Sequence, residues 1–124
     1  MNDVLLTLGM PTFERKNEIQ YAIRSLLDGM HSISSTLRIE LLVIDNASSF
    51  DARTEVERIV RRYDRGCQFR FIRNETNIGN DRNYMRVLEE ASGEFILLCS
   101  DRYSYNIDFD RVIGLLSECR PDSF

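Results

Sequence analysis

The chain predicts an α/β fold, an open parallel sheet with helices on both faces, and three observations carry that expectation. Short apolar runs of strand length alternate with longer segments whose apolar residues recur at three-and-four spacing. The connections between them are short, and the residues just after each apolar run are strongly polar. Such alternation means parallel strands joined by right-handed crossovers, each crossover carrying a helix.

Val4-Leu5-Leu6-Thr7-Leu8 is the first strand, a nearly continuous apolar run closed by Gly9 and Pro11. Ile19, Ala22, Ile23, Leu26, Leu27 and Met30 form one helical face, and Gly29 sits where that helix would stop. Ile39 to Ile44 is the second strand, followed by a helix whose inner face is Ala52, Val56, Ile59, Val60 and Tyr63. Phe69 and Phe71, separated by Arg70, suggest a shorter third strand. Asn80 to Ala91 carries Tyr84, Val87, Leu88 and Ala91 on one side, Phe95 to Cys99 is a fourth strand, and Phe109, Val112, Ile113 and Leu116 line a fourth helix closed by Pro121.

With 124 residues and no repeat, low-complexity tract or linker, residues 1–124 are expected to form one domain. Apolar residues at 43% and charged residues at 29% are ordinary globular composition. The net charge of −4 argues against a nucleic-acid binder. No apolar run approaches the ~20 residues a bilayer span needs, and Met1-Asn2-Asp3 opens no secretory signal, so the default compartment is the cytosol. Cys67, Cys99 and Cys119 are odd in number and far apart, and His31 is the only histidine, so a zinc site lacks ligands and the thiols read as reduced and mostly buried. All basic residues except Lys16 are arginines, which suits planar phosphate recognition but is also what codon bias produces.

In open α/β sheets ligands bind outside the carboxyl ends of the strands. There this chain carries Pro11-Thr12-Phe13-Glu14-Arg15, Asp45-Asn46-Ala47-Ser48-Ser49, Arg73-Asn74 through Asn83, and Ser100-Asp101-Arg102. No GxGxxG, GxxxxGK[ST] or GxSxG motif occurs, and one histidine beyond the first helix cannot complete a Ser-His-Asp or Cys-His relay. A phospho-receiver is excluded by Gly9-Met10-Pro11 where an acidic cluster is needed and by the lone Lys16 in the first helix. Asp45 and Asp101 can accept from ring N–H groups and ribose hydroxyls, and Arg82 near a helix start can meet phosphate, so a nucleotide fits the inventory.

Four ordered blocks resemble family 2 glycosyltransferases. Pro11-Thr12-Phe13-Glu14-Arg15 looks like their PTYNR opening, and Leu42-Val43-Ile44-Asp45-Asn46-Ala47-Ser48 resembles their VVDNGS segment. Asn77-Ile78-Gly79-Asn80-Asp81-Arg82-Asn83-Tyr84, followed by Ala91-Ser92-Gly93-Glu94-Phe95, is similar to their NxGxxxARN and AxGE(Y/F) segments, close to the NIGGDRN form of abequosyltransferase-like members. The resemblance implies the nucleotide-binding half of a Rossmann-like GT-A fold and an inverting transfer from a UDP-, GDP- or dTDP-sugar to an acceptor glycan or lipid-linked sugar in bacterial polysaccharide or lipopolysaccharide synthesis. It places such an enzyme in the cytoplasm or at the inner face of the membrane. By motif position the Thr12-Phe13 turn and Asp45 would hold the base, with Glu14 in the same nucleotide-binding set, Arg82 would lie near base and phosphates, and Asp101 would match the first aspartate of the DXD motif, on the ribose side and at a divalent metal.

Two departures bear on that reading. Asp101-Arg102-Tyr103 stands where the family has Asp-x-Asp, so the carboxylate that usually holds Mg²⁺ or Mn²⁺ is replaced by a phenol, a poor ligand for a hard cation. Arg102 is the expected substitute charge for a leaving diphosphate. Second, the family's acceptor half and its base lie after this motif, whereas the sequence ends at Phe124, which raises the alternative of a degenerate, non-catalytic nucleotide-binding or assembly module. Apolar surface left uncovered by that half would favour a homo-oligomer. The plainer readings are that Asp45 and Asp101 stabilise turns, Arg82 pairs with Asp81 or Glu89, Gly79 serves a tight turn, Glu14 and Arg15 decorate the first helical turn, His31 ends a helix, and Phe13, Phe69 and Phe71 are core.

Overall fold

The computed structural model describes residues 4–30, 38–63 and 67–119; His31, Pro121 and Phe124 lie outside them. The elements alternate as expected: β1 (Leu6–Thr12), α1 (Glu18–Gly29), β2 (Ile39–Asp45), α2 (Ala52–Val60), β3 (Gln68–Arg73), α3 (Asn80–Glu90), β4 (Phe95–Leu98) and α4 (Phe109–Glu118). All strands are parallel in the order β3-β2-β1-β4. The chain first builds outward from β1 to β3 and then returns to place β4 on the other side of β1. That reversal opens a crevice at the carboxyl ends of β1 and β4, where an open α/β sheet can admit a ligand.

Side chains alternate across the sheet. Leu8 and Met10 of β1 and Leu41 and Val43 of β2 pack with Ile19, Ile23 and Leu26 of α1, Val56 of α2 and Phe109 and Ile113 of α4. Leu42 and Ile44 point the other way, onto Val87 of α3. The helices thus cover both faces, three on one and α3 on the other. Gly9 lets α3 come close, since a Cβ there would stand 2.3 Å from Val87 Cγ1.

β1 does not stop at Gly9 and Pro11; both lie inside it. Pairing with β4 ends at Gly9↔Leu98 while pairing with β2 continues to Thr12↔Asp45. The Gly9 carbonyl accepts from Cys99 N at 2.8 Å on the β4 side. Backbone groups alternate between the two neighbours, so Pro11 faces that same side beyond its last rung, and its missing N–H leaves no bond unmade. Gly29 likewise is not a left-handed terminator, for Gly79 is the only described glycine with positive φ. Gly29 is small because a Cβ would meet Ile107 O at 2.7 Å and the Phe109 ring at 3.1 Å.

The expected inner face of α3 is only partly inner. Val87 and Asn83 are buried, but Tyr84 and Leu88 are exposed, as are Ile96, Leu97 and Leu98 of β4. The seat of α3 is polar, with Asn83 Nδ2 donating to Ile44 O at 3.1 Å, and β4 is an edge strand.

At the opposite end of the sheet, Glu40 is 1% exposed inside β2. Its Oε1 accepts from Thr7 Oγ1 at 2.9 Å and Ser92 N at 3.0 Å, and Arg70 Nη1 lies 3.4 Å from Oε2. Arg70 also donates to Glu90 O at 2.6 Å and Glu90 Oε2 at 3.0 Å, while Gly93 N donates to Thr7 Oγ1 at 2.9 Å. This network seats the α3–β4 connection on the sheet. Cys67 and Cys99 are buried and Cys119 is exposed, all as free thiols. Burial pushes Cys67 up to about 11 and Cys99 up to about 12, which keeps both protonated at neutral pH.

Candidate functional site

The crevice between β1 and β4 opens into a cavity of about 480 Å³, a volume in the range of small-molecule sites. Three loops build it. The end of β1 delivers Thr12, Phe13 and Arg15; the turn after β4 delivers Ser100 to Tyr103; and the start of α3 delivers Asn80, Asn83 and Tyr84. Thr12 Oγ1 donates to Asp101 Oδ2 at 2.7 Å, which ties the β1 end to the β4 turn. Arg15 Nε faces Asp101 Oδ1 at 4.0 Å. Burial raises the Asp101 carboxyl above its ordinary value, against the opposing pull of the Thr12 bond and the Arg15 charge.

The β4 turn is pinned from behind. Ser100 N donates to the Tyr105 hydroxyl at 2.6 Å, Tyr105 N donates to Ser25 Oγ of α1 at 2.7 Å, and Arg102 N donates to Ser100 Oγ at 3.1 Å. Burial also raises the Tyr105 hydroxyl.

The α3 side is fixed by amides. Asn46 makes all four of its side-chain hydrogen bonds: Oδ1 accepts from Asn74 Nδ2 at 3.0 Å and Ile78 N at 2.9 Å, and Nδ2 donates to Asn77 Oδ1 at 2.8 Å and Gly79 O at 3.3 Å. Asn74 Nδ2 also donates to Asn83 Oδ1 at 2.9 Å, and Arg86 donates to Asn74 Oδ1. Gly79, at φ 88°, turns the chain into α3, and no side chain caps that helix start.

Thr12, Phe13, Asp101 and Arg102, four of the sequence-predicted site residues, line the one cavity; Asp45, Glu14 and Arg82 do not. Asp45 is fully buried, accepting from Ser48 Oγ at 2.6 Å and from Arg73 Nη1 at 2.7 Å. Glu14 lies in the loop before α1, where its Oε1 accepts from Ser49 N at 2.7 Å and Ser49 Oγ at 2.9 Å, and its own N–H donates to Ser48 Oγ at 2.8 Å. The two loops are buckled together. Arg82 is exposed on the first turn of α3. Arg15, which a sequence reading assigns to a helix face, precedes α1 and points at Asp101. Asn80, Asn83 and Tyr84 also line the cavity; the sequence places Asn80 and Asn83 in the loop segment after the third strand but marks none of the three as a binding residue.

The buckle holds two non-glycine residues in the left-handed region, Glu14 at φ 54° and Ala47 at φ 65°. Left-handed backbone costs a residue with a Cβ about 1–2 kcal/mol, partly offset by the lower unfolded-state entropy of alanine. Ala47→Gly is therefore expected to stabilise the fold by about 0.5–1 kcal/mol, read as a raised urea midpoint at unchanged slope; a lowered midpoint contradicts the strain.

A divalent cation is poorly matched to this donor set. Asp101 is the only carboxylate in the lining; Thr12 occupies one oxygen and the Arg15 guanidinium faces the other. Arg102 and the Tyr103 phenol follow it, and no group of three His, Cys, Asp or Glu suited to a metal occurs among the described residues. Two guanidiniums beside a single engaged carboxylate do not fit Mg²⁺ or Mn²⁺.

Comparison with known structures places the fold. TarS 1-349 from S. aureus superposes with a TM-score of 0.76 at 21% identity, covering 93% of this chain and 33% of that one. TarS 1-349 in complex with UDP gives 0.75 at 21% identity, covering 93% and 32%. The mannosyltransferase PcManGT from Pyrobaculum calidifontis, in complex with GDP-Man and Mn²⁺, gives 0.74 at 15% identity, covering 94% and 32%. These likenesses show the open parallel sheet of the GT-A arrangement. Among curated sequences, the uncharacterized protein Rv1520 of Mycobacterium tuberculosis is 34% identical over 83 residues, 67% of this chain, and the chain spans 23% of that protein's length. No helix among the described residues is long and apolar enough to cross a membrane. Residues 7–108 match the family described as Glycosyl transferase family 2. With that match running from β1 through the β4 turn, over the residues that build the cavity, the chain belongs to glycosyl transferase family 2.

Proposed function

We propose that this chain is the nucleotide-sugar-binding part of an inverting glycosyltransferase. One observation carries the reading: the cavity at the point where strand order reverses combines an aromatic ring, Phe13, with Asp101 and two arginines. Those groups suit, in turn, the base, the ribose hydroxyls and the diphosphate of a UDP-, GDP- or dTDP-sugar. The UDP and GDP-Man held by the structural neighbours support the same ligand class. In the reaction the acceptor hydroxyl oxygen attacks the anomeric carbon from the face opposite the leaving group. The new C–O bond forms as the bond to the diphosphate breaks, and the electron pair departs with the nucleoside diphosphate. The base that takes the acceptor proton is assigned to no residue of this chain.

The acceptor of this reading is a glycan or lipid-linked sugar in bacterial polysaccharide or lipopolysaccharide assembly, at the cytoplasmic face of the membrane. A second reading, a non-catalytic nucleotide-binding or assembly module, is favoured by Asp45, whose carboxylate is closed off by Ser48 and Arg73.

Calorimetric titration with UDP, GDP and dTDP, each in EDTA and in Mn²⁺, tests the site. Saturable binding is expected to at least one nucleotide. Phe13→Ala should weaken it about tenfold or more through lost stacking, and Asp45→Ala should weaken it by releasing Ser48 and with it the Glu14 loop. No heat with any nucleotide in either condition refutes the proposal.

A further inference from the structure

Within that nucleotide-sugar site, and resting on that reading, we infer that the diphosphate is bound by the paired guanidiniums of Arg15 and Arg102 in place of a divalent cation. The charge distribution is the first argument. The chain as a whole is net −4, yet the cavity lining holds two arginines and a single carboxylate, so the lining carries net positive formal charge. One carboxylate can hold a hard cation together with substrate phosphates, but here Thr12 takes one oxygen of Asp101 and the Arg15 guanidinium faces the other. A positive lining is a receptor for an anion.

The geometry supplies the second argument. Asp101 is bound on one side by Thr12 at 2.7 Å and faces Arg15 Nε at 4.0 Å on the other. Its charge attracts Arg15 at ion-pair distance without a hydrogen bond. Because Nε is the nitrogen nearest the carboxylate, the two terminal nitrogens of Arg15 are left for a ligand, and a planar fork of that kind matches phosphate oxygens in pairs. The Arg15 side chain is 35% exposed, held yet open to solvent. Arg102 is exposed on the same cavity, on a turn fixed by its own N–H to Ser100 Oγ and by Tyr105 behind it. One arginine follows β1 and the other follows β4, so they approach the crevice from its two walls.

As the bond to the anomeric carbon breaks, negative charge grows on the leaving diphosphate. Fixed guanidiniums stabilise that charge without a proton transfer and without recruiting an ion from solution. Arg15 and Arg102 touch the diphosphate in this scheme, Asp101 meets the ribose and also faces Arg15, and Thr12 is a positioning residue that acts through Asp101.

The experiment is titration of the full 124-residue chain with UDP, GDP and dTDP in EDTA, repeated with Mn²⁺, for the parent, Arg15→Gln, Arg102→Gln and the two corresponding lysine variants. Thermal melts confirm that each variant folds. The expected result is saturable binding in EDTA that changes by less than about twofold with Mn²⁺, with each glutamine variant about tenfold weaker, the size of one charge-assisted contact. Lysine should restore part of the loss, and rising salt should weaken the parent more than either glutamine variant. As a separate readout, the free-Mn²⁺ resonance signal of a Mn²⁺ and UDP mixture should fall no further when the chain is added.

Binding at least tenfold tighter in Mn²⁺ than in EDTA, or glutamine variants that bind like the parent, overturns the inference and leaves the nucleotide reading standing. Absence of binding in both conditions overturns the nucleotide reading itself, and the inference with it.

Discussion

Arg70→Met is expected to destabilise the fold by about 3 kcal/mol, the lower end of the cost of leaving a buried charge without its partner. Glu40 is 1% exposed, while the Arg70 side chain is 37% exposed, so water takes over part of the arginine's work and keeps the loss from the top of the range. The substitution also removes the bond to Glu90 O at 2.6 Å, which holds the last turn of α3 against β3. Urea denaturation of a double-mutant cycle isolates the pair. In a Glu40→Gln background, where the buried charge is gone, the same Arg70→Met change should cost about 1.5 kcal/mol or less. Equal costs in the two backgrounds would show that Arg70 acts through Glu90 and packing, not through the Glu40 charge.

Gly93→Ala is expected to cost a similar amount, about 3 kcal/mol, for a steric reason. A Cβ at Gly93 would stand 2.6 Å from Thr7 N, 2.8 Å from Phe95 O and 2.9 Å from the Leu6 carbonyl carbon. All three are backbone atoms, so no rotamer change relieves the contact and the start of β4 must lift from β1. The bond from Gly93 N to Thr7 Oγ1 lifts with it, beside the β1–β4 rung from Phe95 N to Leu5 O at 2.9 Å. Gly114→Ala provides the control. Nothing lies within 4 Å of a Cβ there, and an alanine inside α4 should stabilise by about 0.5–1 kcal/mol. Comparable urea midpoints for the two alanine variants would contradict the packing argument.

The glycine and the arginine illustrate how unevenly the sequence revealed this molecule. Element types and order were legible because apolar periodicity differs between strand and helix, and the buried faces of α1 and α4 follow their spacing. The length of β1 was not, because Gly9 and Pro11 look like breakers unless it is known that β4 stops short of Pro11. The exposure of Tyr84 and Leu88 was hidden for a related reason: helical spacing gives a stripe, but the neighbouring strand decides whether that stripe is covered.

The site divided along the same line. Thr12, Phe13, Asp101 and Arg102 come together at one cavity because they end or follow the strands that border the reversal in strand order, and strand ends can be read from sequence. Asp45 ends β2, one strand away from the crevice, and its contact with Arg73 depends on register between β2 and β3, paired Asp45↔Arg73. The approach of Arg15 to Asp101 was not legible, because Asp101 lies across the crevice from β1 and far along the chain.

Asn46 carries a consequence for binding energetics. One side chain joins the end of β2, the loop after β3 and the entry to α3, with every donor and acceptor committed. The α3 wall of the crevice is thereby ordered before any ligand arrives, so the conformational entropy of arranging it has already been given up during folding. What a ligand must still immobilise is the exposed part of the opposite walls, chiefly the side chains of Arg102 and Tyr103. Affinity in such a pocket is governed less by the number of contacts than by how few of them have to be organised on arrival.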